Sequence, residues 1–177
     1  MVVSPDEGAI NRNMYYASVL GVNMGMFYKR RDYSRVVDGR NPIVAHEYLG
    51  ESMQGKDVFI ADDIIASGDS VLDIAYEMKR RKANRIFIFS TFGLFTNGLD
   101  KFDKAYKDGY IDKVLTTNLV YQTPELLSKP YYVGCDMSKY IALLVDTYRL
   151  CNYLQNHICR LPSPAQYYRK KQATKLY

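Results

Sequence analysis

Two adjacent aspartates and the short loop behind them are the residues of this chain best suited to chemistry. Asp62 and Asp63 directly follow an apolar run at residues 58–61, which predicts a buried strand. The loop then reads Ala66, Ser67, Gly68, Asp69 and Ser70, and an amphipathic helical pattern follows it. In α/β sheets, ligands bind beyond the carboxyl ends of strands, and phosphates bind at helix N-termini. The pattern therefore predicts a cleft in which the carboxylates bind sugar hydroxyls or a hard cation and the loop binds a phosphate monoester.

Each loop residue has a physical reason to be there. Gly68 adopts backbone angles closed to other residues and lets a phosphate approach the main chain closely. Ser67 and Ser70 add hydroxyl donors, and Ser70 with Asp73 fits a capping box at the start of the helix. The alternative is an ordinary strand–turn–helix whose acids and serines only cap and solvate the turn. Adjacent carboxylates repel and need a partner, which favours the binding interpretation.

Residues 60–70 resemble the phosphoribosyl-pyrophosphate (PRPP) binding motif of type I phosphoribosyltransferases and of ribose-phosphate diphosphokinases (PRPP synthetases). Other segments favour the synthetases. Residues 2–8 are similar to the opening of their C-terminal half, and residues 28–31 resemble the start of their catalytic loop. Similar segments occur at residues 41–56, 90–95 and 116–118. The resemblance runs from about residue 2 to about residue 148 and covers most of the chain.

The resemblance implies a set of roles for named residues. Lys29 and Arg31 are the expected catalytic residues, and Asp62 and Asp63 with the loop 66–70 are the expected ribose-phosphate site. It implies Mg²⁺ as cofactor, bound by the two aspartates directly or through the ribose. The implied ligands are ribose 5-phosphate, PRPP and ATP, with most of the ATP site in an N-terminal half. The chain is accordingly interpreted as a fragment of a longer protein that forms a homo-oligomer.

Four positions depart from the synthetase pattern: Ala9, Asn11, Ala66 and Asp69. Asp69 replaces a glycine of the phosphate loop. A carboxylate there costs Coulomb energy against a bound phosphate unless it turns outward or meets a cation. These departures support an alternative, a non-catalytic PRPP-fold domain with a regulatory or structural role. A nucleobase phosphoribosyltransferase is a weaker alternative, because no segment before the first strand supplies a hood to hold the base.

Composition fits a cytoplasmic enzyme domain. The 177 residues carry a net charge of +5, and the basic runs are local, as at residues 79–82, which end a predicted helix. No RNA-binding motif, no signal peptide and no apolar run of membrane-spanning length is present, so we expect neither a nucleic-acid nor a membrane partner. The three cysteines and two histidines lack metal-ligand spacing.

Alternating strands and helices predict an α/β fold of three layers, a mostly parallel sheet flanked by helices as in type I phosphoribosyltransferases. Predicted strands cover residues 2–4, 24–28, 57–62, 85–91, 113–117 and 131–134. Predicted helices cover residues 8–20, 70–82, 97–108 and 138–155. Residues 29–53 are expected to form a long loop, and loops of that length are usually functional or disordered. The domain is predicted to span residues 1–155, followed by a poorly ordered tail at residues 156–177.

Overall fold

The structure is a computed structural model that describes residues 1–31 and 43–157, with side chains described for residues 1–28 and 47–153. By their contacts the residues cluster into two compact units, Met1–Asp136 and Met137–Tyr177. The first unit contains every described strand and the candidate site. The second contains helix α5, Ser138–His157. Within the described residues, no helix combines the length and apolar character that crossing a membrane requires.

The described strands form one seven-stranded sheet with the order β3-β2-β1-β4-β5-β6-β7. They are β1 Val2–Ser4, β2 Met24–Arg31, β3 Ile43–Leu49, β4 Val58–Ile65, β5 Ile86–Gly93, β6 Lys113–Thr117 and β7 Tyr132–Cys135. Strand β3 runs antiparallel to β2, and all other neighbouring strands are parallel. The parallel strands place their carboxyl ends at one edge of the sheet, where ligands of such folds bind.

Four helices of the first unit connect these strands: α1 Ile10–Leu20, α2 Asp69–Arg80, α3 Asp100–Lys107 and α4 Pro124–Ser128. From β1 the chain passes through α1 to β2, and from β4 it passes through α2 to β5, in opposite directions across the sheet. Because such crossovers are right-handed, α1 and α2 cover opposite faces. The predicted fold class, an α/β fold with a mostly parallel sheet between helices, is confirmed.

Apolar residues fill the centre of the sheet. Ile60 of β4 and Ile88 of β5 are fully buried and belong to one core with Ile74 and Met78 of α2. On the other face, Phe89 contacts Phe59 and Tyr16 at ring-centroid distances of 6.0 Å each. Burial on both sides explains the nearly continuous apolar sequence of these strands. The site therefore lies at the end of strands that form the buried centre of the sheet.

Several predicted boundaries need correction. The predicted loop at residues 29–53 is wrong at residues 29–31 and 43–49, because β2 continues to Arg31 and residues 43–49 form β3. Helix α4 was not predicted; it is five residues long, and its N-cap residue is Thr123, whose hydroxyl accepts a hydrogen bond from the Leu126 N–H at 3.1 Å. Most of the predicted tail at residues 156–177 lies outside the described residues, so that boundary stays a prediction.

Candidate functional site

The two aspartates lie inside the last part of β4, not after its end. Strand β4 was predicted to end at residue 62, but it continues to Ile65 and pairs Asp62 with Ser90 and Ile65 with Gly93 of β5. Each carboxylate is held by the next residue's backbone. The Asp63 N–H donates to Asp62 Oδ1 at 2.8 Å, and the Ile64 N–H donates to Asp63 Oδ1 at 3.0 Å. The acids are thus fixed near the carboxyl edge of the sheet.

Arg12 of α1 is the cationic partner of both carboxylates. Its Nη1 lies 3.6 Å from Asp62 Oδ1 and its Nη2 lies 3.3 Å from Asp63 Oδ2. The side chains of Arg12 and Asp62 are 29% and 24% exposed, whereas that of Asp63 is 59% exposed. Sequence reasoning missed Arg12, although it is the one charged residue of α1. One guanidinium between two adjacent acids relieves the repulsion that the sequence implied.

The pKa values of the two aspartates are shifted in opposite directions. Burial raises the pKa of Asp62 above its ordinary value, and the neighbouring charges of Asp63 and Asp6 act in the same direction. A side-chain hydrogen bond with Asp62 lowers the pKa of Asp63, and the Arg12 charge lowers it further. As the pH falls, Asp62 therefore takes up a proton before Asp63 does. Such a pair of environments is typical of functional carboxylates.

Asn13 ties α1 to the strand that carries the acids. Its side chain is fully buried, and Nδ2 donates to the carbonyl oxygens of Ala9 and Ala61, at 2.9 Å each. Nδ2 also lies 3.4 Å from Ser4 Oγ. Ala61 immediately precedes Asp62, so Asn13 fixes the distance between the helix that supplies Arg12 and the acid pair. Sequence reasoning did not single out Asn13, although it lies two residues from Asn11, one of the positions that depart from the synthetase pattern.

Gly68 shapes the loop after β4. It has a φ of 86°, and a Cβ atom there would lie 2.3 Å from Cε2 of Phe102, so only glycine fits. Gly68 is the N-cap residue of α2, which begins at Asp69, and the helix has no side-chain cap. The predicted capping box of Ser70 and Asp73 is therefore wrong, and the loop is shorter than predicted. Among the first-turn N–H groups of α2, that of Asp69 donates to Ser67 Oγ at 3.4 Å, and the helix N-terminus that they form suits an anion.

One cleft joins Asp62 to the loop. Its volume is about 120 Å³, and it is lined by Asp62, Ile64, Ile65, Ala66, Ser67, Gly68, Ser70 and Val71. The structure thus brings Asp62 together with four of the five predicted loop residues, whereas Asp63 and Asp69 do not line the cleft. The loop after β5 supports one wall, because Leu94 N–H donates to the Ile65 carbonyl at 2.8 Å and Thr96 N–H donates to the Ala66 carbonyl at 3.0 Å.

Asp69 meets a cation. Lys101 of α3 forms an ion pair with its Oδ1, and Ser67 Oγ donates to its Oδ2 at 3.0 Å. The hydrogen bond from Lys101, followed by that from Ser67, lowers the pKa of Asp69. The carboxylate that departs from the phosphate-loop pattern is therefore paired with a positive charge.

The two predicted catalytic residues lie in β2. Lys29 pairs with His46 and Arg31 with Ile43 of β3, and the register shifts between Arg30 and Arg31. Their side chains lie outside the described part of the chain, as do residues 32–42 of the predicted loop. Their catalytic role stays a prediction.

Comparison with known proteins gives consistent results. A model of the phosphoribosyl transferase domain matches residues 1–127. Ribose-phosphate pyrophosphokinase of Mycoplasma pneumoniae is 31% identical over 124 residues, which cover 70% of this chain and 36% of that protein. The protein of the same name from Shewanella oneidensis is 31% identical over 143 residues, covering 80% of this chain and 42% of that protein. The chain spans less than half the length of these relatives.

A solved structure supports the same fold. The crystal structure of phosphoribosylpyrophosphate synthetase from Mycobacterium smegmatis matches with a TM-score of 0.65 and 21% identity, over 83% of this chain and 44% of that chain. The resemblance to the C-terminal half of the synthetases is confirmed. Because the domain model spans the acid pair, the loop and their supporting helices, this chain belongs to the phosphoribosyl transferase domain family.

Proposed function

We propose that this chain is the C-terminal catalytic half of a ribose-phosphate diphosphokinase, binding ribose 5-phosphate and PRPP with Mg²⁺ for diphosphate transfer from ATP. The observation that carries the proposal is the single cleft lined by Asp62 and by residues 66–68 and 70. A carboxylate at one end and the N-terminus of helix α2 at the other match a sugar with a phosphate at its far carbon.

Each end of the cleft has a proposed role. Carboxylate oxygens of Asp62 and Asp63 accept hydrogen bonds from the ribose hydroxyls. The 5-phosphate accepts hydrogen bonds from first-turn N–H groups of α2 and from the hydroxyls of Ser67 and Ser70. Glycine is needed at position 68 because a Cβ atom there would overlap Phe102. Binding at both ends orients the sugar, and orientation alone supplies a large part of the rate of such reactions.

The donor set fits magnesium. Mg²⁺ is usually bound through one or two carboxylates together with water and substrate phosphates. The adjacent Asp62 and Asp63 provide those two carboxylates, and in the described part of the chain no cluster of three or more acidic, histidine or cysteine side chains provides a larger cage. Asp62 and Asp63 would hold the ion directly or through the ribose hydroxyls. When bound, the ion neutralises charge on the diphosphate that is transferred.

Lys29 and Arg31 are proposed to stabilise the transferred group. Diphosphate transfer needs positive charge at the developing negative charge more than it needs covalent chemistry. The two residues lie near the end of β2, in the strand beside β1. The remaining part of the longer relatives is proposed to supply most of the ATP site. The homo-oligomer, the cytoplasmic location and the lack of nucleic-acid and membrane partners stay expectations.

The first test removes the charges of the acid pair. We expect the double substitution Asp62→Asn and Asp63→Asn to weaken ribose 5-phosphate binding at least about tenfold in titration calorimetry with Mg²⁺. One hydrogen bond to a charged group contributes about 1.5–3 kcal/mol, and about 1.4 kcal/mol is tenfold in affinity. Asp73→Asn is the matched control, since Asp73 is an exposed acid on α2. Melting temperatures of both variants check that they fold. Unchanged affinity in the double variant would remove the pair from the site.

A second assay tests the reaction itself. The chain is mixed with ATP, Mg²⁺ and ribose 5-phosphate, and release of AMP and PRPP is measured. We expect binding without turnover, because the chain spans 36% to 42% of the relatives' length and ATP is proposed to bind mainly to the rest. Turnover in the ordinary range of kinases, about 1–100 per second, would contradict this division of the two substrates.

A non-catalytic PRPP-fold domain is the second candidate function. Two contacts favour it: Arg12 engages both aspartates, and Asp69 accepts a hydrogen bond from the Ser67 hydroxyl. Both arrangements satisfy groups that a sugar phosphate would otherwise use. Failure of ribose 5-phosphate and of PRPP to bind at millimolar concentration, with Mg²⁺ present, would favour this candidate over the enzyme.

A further inference from the structure

Asp69 is an unusual residue for a phosphate site. It is the first residue of α2 and the fourth of the five predicted loop positions. A carboxylate beside a phosphate dianion repels it even in water. A phosphate site that carries this residue needs a compensating charge at fixed distance.

Lys101 supplies that charge from a different element. Residue 101 lies in the first turn of α3, 32 positions away in sequence, and its ammonium pairs with Asp69 Oδ1. The other carboxylate oxygen accepts from Ser67 Oγ at 3.0 Å, and Asp69 does not line the cleft while Ser67 does. The carboxylate thus lies behind the loop, between the cleft residue Ser67 and helix α3.

We propose that Lys101 is a positioning residue for phosphate binding, which cancels the charge of Asp69 and holds that carboxylate behind the loop. This inference rests on the proposed function, because it assumes that the loop binds the 5-phosphate. Lys101 acts through Asp69 and does not itself contact the substrate. Where the family pattern has an uncharged glycine, this chain has Asp69, and its ion pair with Lys101 has a net charge of zero.

Stability and binding separate this role from a structural one. Both side chains are about half exposed, and an exposed ion pair contributes little to the stability of a fold. Loss of Lys101 therefore changes the melting temperature little. In Lys101→Met the charge of Asp69 is no longer compensated, and it repels a phosphate that carries nearly two negative charges. The affinity for ribose 5-phosphate therefore falls when Lys101 is lost.

The experiment measures ribose 5-phosphate affinity by titration calorimetry for four proteins with Mg²⁺ at low salt. They are the unaltered chain, Lys101→Met, Asp69→Asn, and the variant with both substitutions. We expect Lys101→Met to weaken binding roughly three- to tenfold, Asp69→Asn to strengthen it by a similar factor, and the double variant to return to the unaltered affinity. At 0.5 M salt the differences in affinity among the four proteins become smaller, because exposed charges are screened. Lys107→Met, at the far end of α3, is the control for a lost positive charge.

Each other outcome is informative. An affinity unaffected by Lys101→Met overturns the inference while leaving the proposed function in place. A double variant as weak as Lys101→Met also overturns it, because Lys101 would then act on the phosphate directly and not through Asp69. If none of the four proteins binds ribose 5-phosphate, Asp69→Asn included, the proposed function fails and the inference fails with it.

Discussion

Replacing Arg12 with methionine tests how the acid pair is held. Methionine keeps an aliphatic stem and removes the guanidinium that lies 3.6 Å from Asp62 and 3.3 Å from Asp63. Breaking a fully buried ion pair costs about 3–5 kcal/mol, whereas an exposed pair contributes about 0–1 kcal/mol. Arg12 and Asp62 are roughly a quarter exposed, and the contribution of the more exposed Asp63 is discounted for screening. We therefore expect a loss of about 1.5–3 kcal/mol in the free energy of unfolding at pH 7.

The loss depends on pH with a definite sign. The pKa of Asp63 is lowered in the folded protein, so its stabilising contribution is present above the unfolded pKa and disappears as the pH falls through the folded pKa. The pKa of Asp62 is raised by burial, so the cost of its buried charge is present above that pKa and is relieved on acidification. Once both carboxyls are protonated, Arg12 has no anion to pair with. The difference between Arg12→Met and the unaltered chain should therefore shrink steadily below about pH 4.

Urea unfolding of both proteins at pH 7 and at progressively lower pH measures this difference. Arg80→Met is the matched control, because Arg80 is 82% exposed and its ion pair with Glu77 spans 3.7 Å; we expect it to change stability by less than about 0.5 kcal/mol. A loss at Arg12 that stays the same at every pH would refute the electrostatic reasoning. It would mean that the guanidinium contributes packing and not charge.

Two further substitutions test the backbone supports of the site by thermal unfolding. Gly68→Ala should lower the free energy of unfolding by about 2–4 kcal/mol, because it combines a strained positive φ with a Cβ that overlaps Phe102. The control Gly55→Ala has a similar φ of 71° but open space around the Cβ, so it should lower that free energy by about 1 kcal/mol. Equal losses in the two variants would contradict the overlap with Phe102. Asn13→Leu should lower the free energy of unfolding by about 2–4 kcal/mol, because it leaves the Ala61 carbonyl without its side-chain donor and buries a side chain of the wrong shape. The control Asn11→Leu, at an exposed position of the same helix, should change stability little. A small loss for Asn13→Leu would show that the link from α1 to β4 is dispensable.

Local sequence signals predicted the parts of the site that are local in the chain. An apolar run, two acids and a glycine-containing loop lie within 13 consecutive residues, and the structure joins most of them in one cleft. Arg12 and Lys101 escaped prediction because each reaches its acid from a separate helix, 50 and 32 positions away in sequence. Which cation pairs with which acid depends on how α1 packs beside β4 and α3 beside α2, and the local sequence does not determine that packing.

The other misses also have physical reasons. Strand β3 pairs only with β2 at the edge of the sheet, so it does not need the continuous apolar sequence by which β4 and β5 were recognised. The capping box failed because Gly68, in a left-handed conformation, already ends the loop and starts the helix one residue earlier. In both cases a neighbouring element or a single glycine overrides the local pattern.

The charges around the cleft give a reason for a divalent cation that is independent of family resemblance. Arg12 and Lys101 are the cations that pair with the site's acids among the described side chains, and they face Asp62, Asp63 and Asp69. Three carboxylates against two cations leave an excess of negative charge where a phosphate dianion is proposed to enter. A magnesium ion at the acid pair would offset that excess. We therefore expect ribose 5-phosphate affinity in calorimetry to fall at least about tenfold when Mg²⁺ is replaced by a chelator, since repulsion of this size costs more than about 1.4 kcal/mol. Equal affinity with and without Mg²⁺ would mean that cations outside the described side chains balance the site.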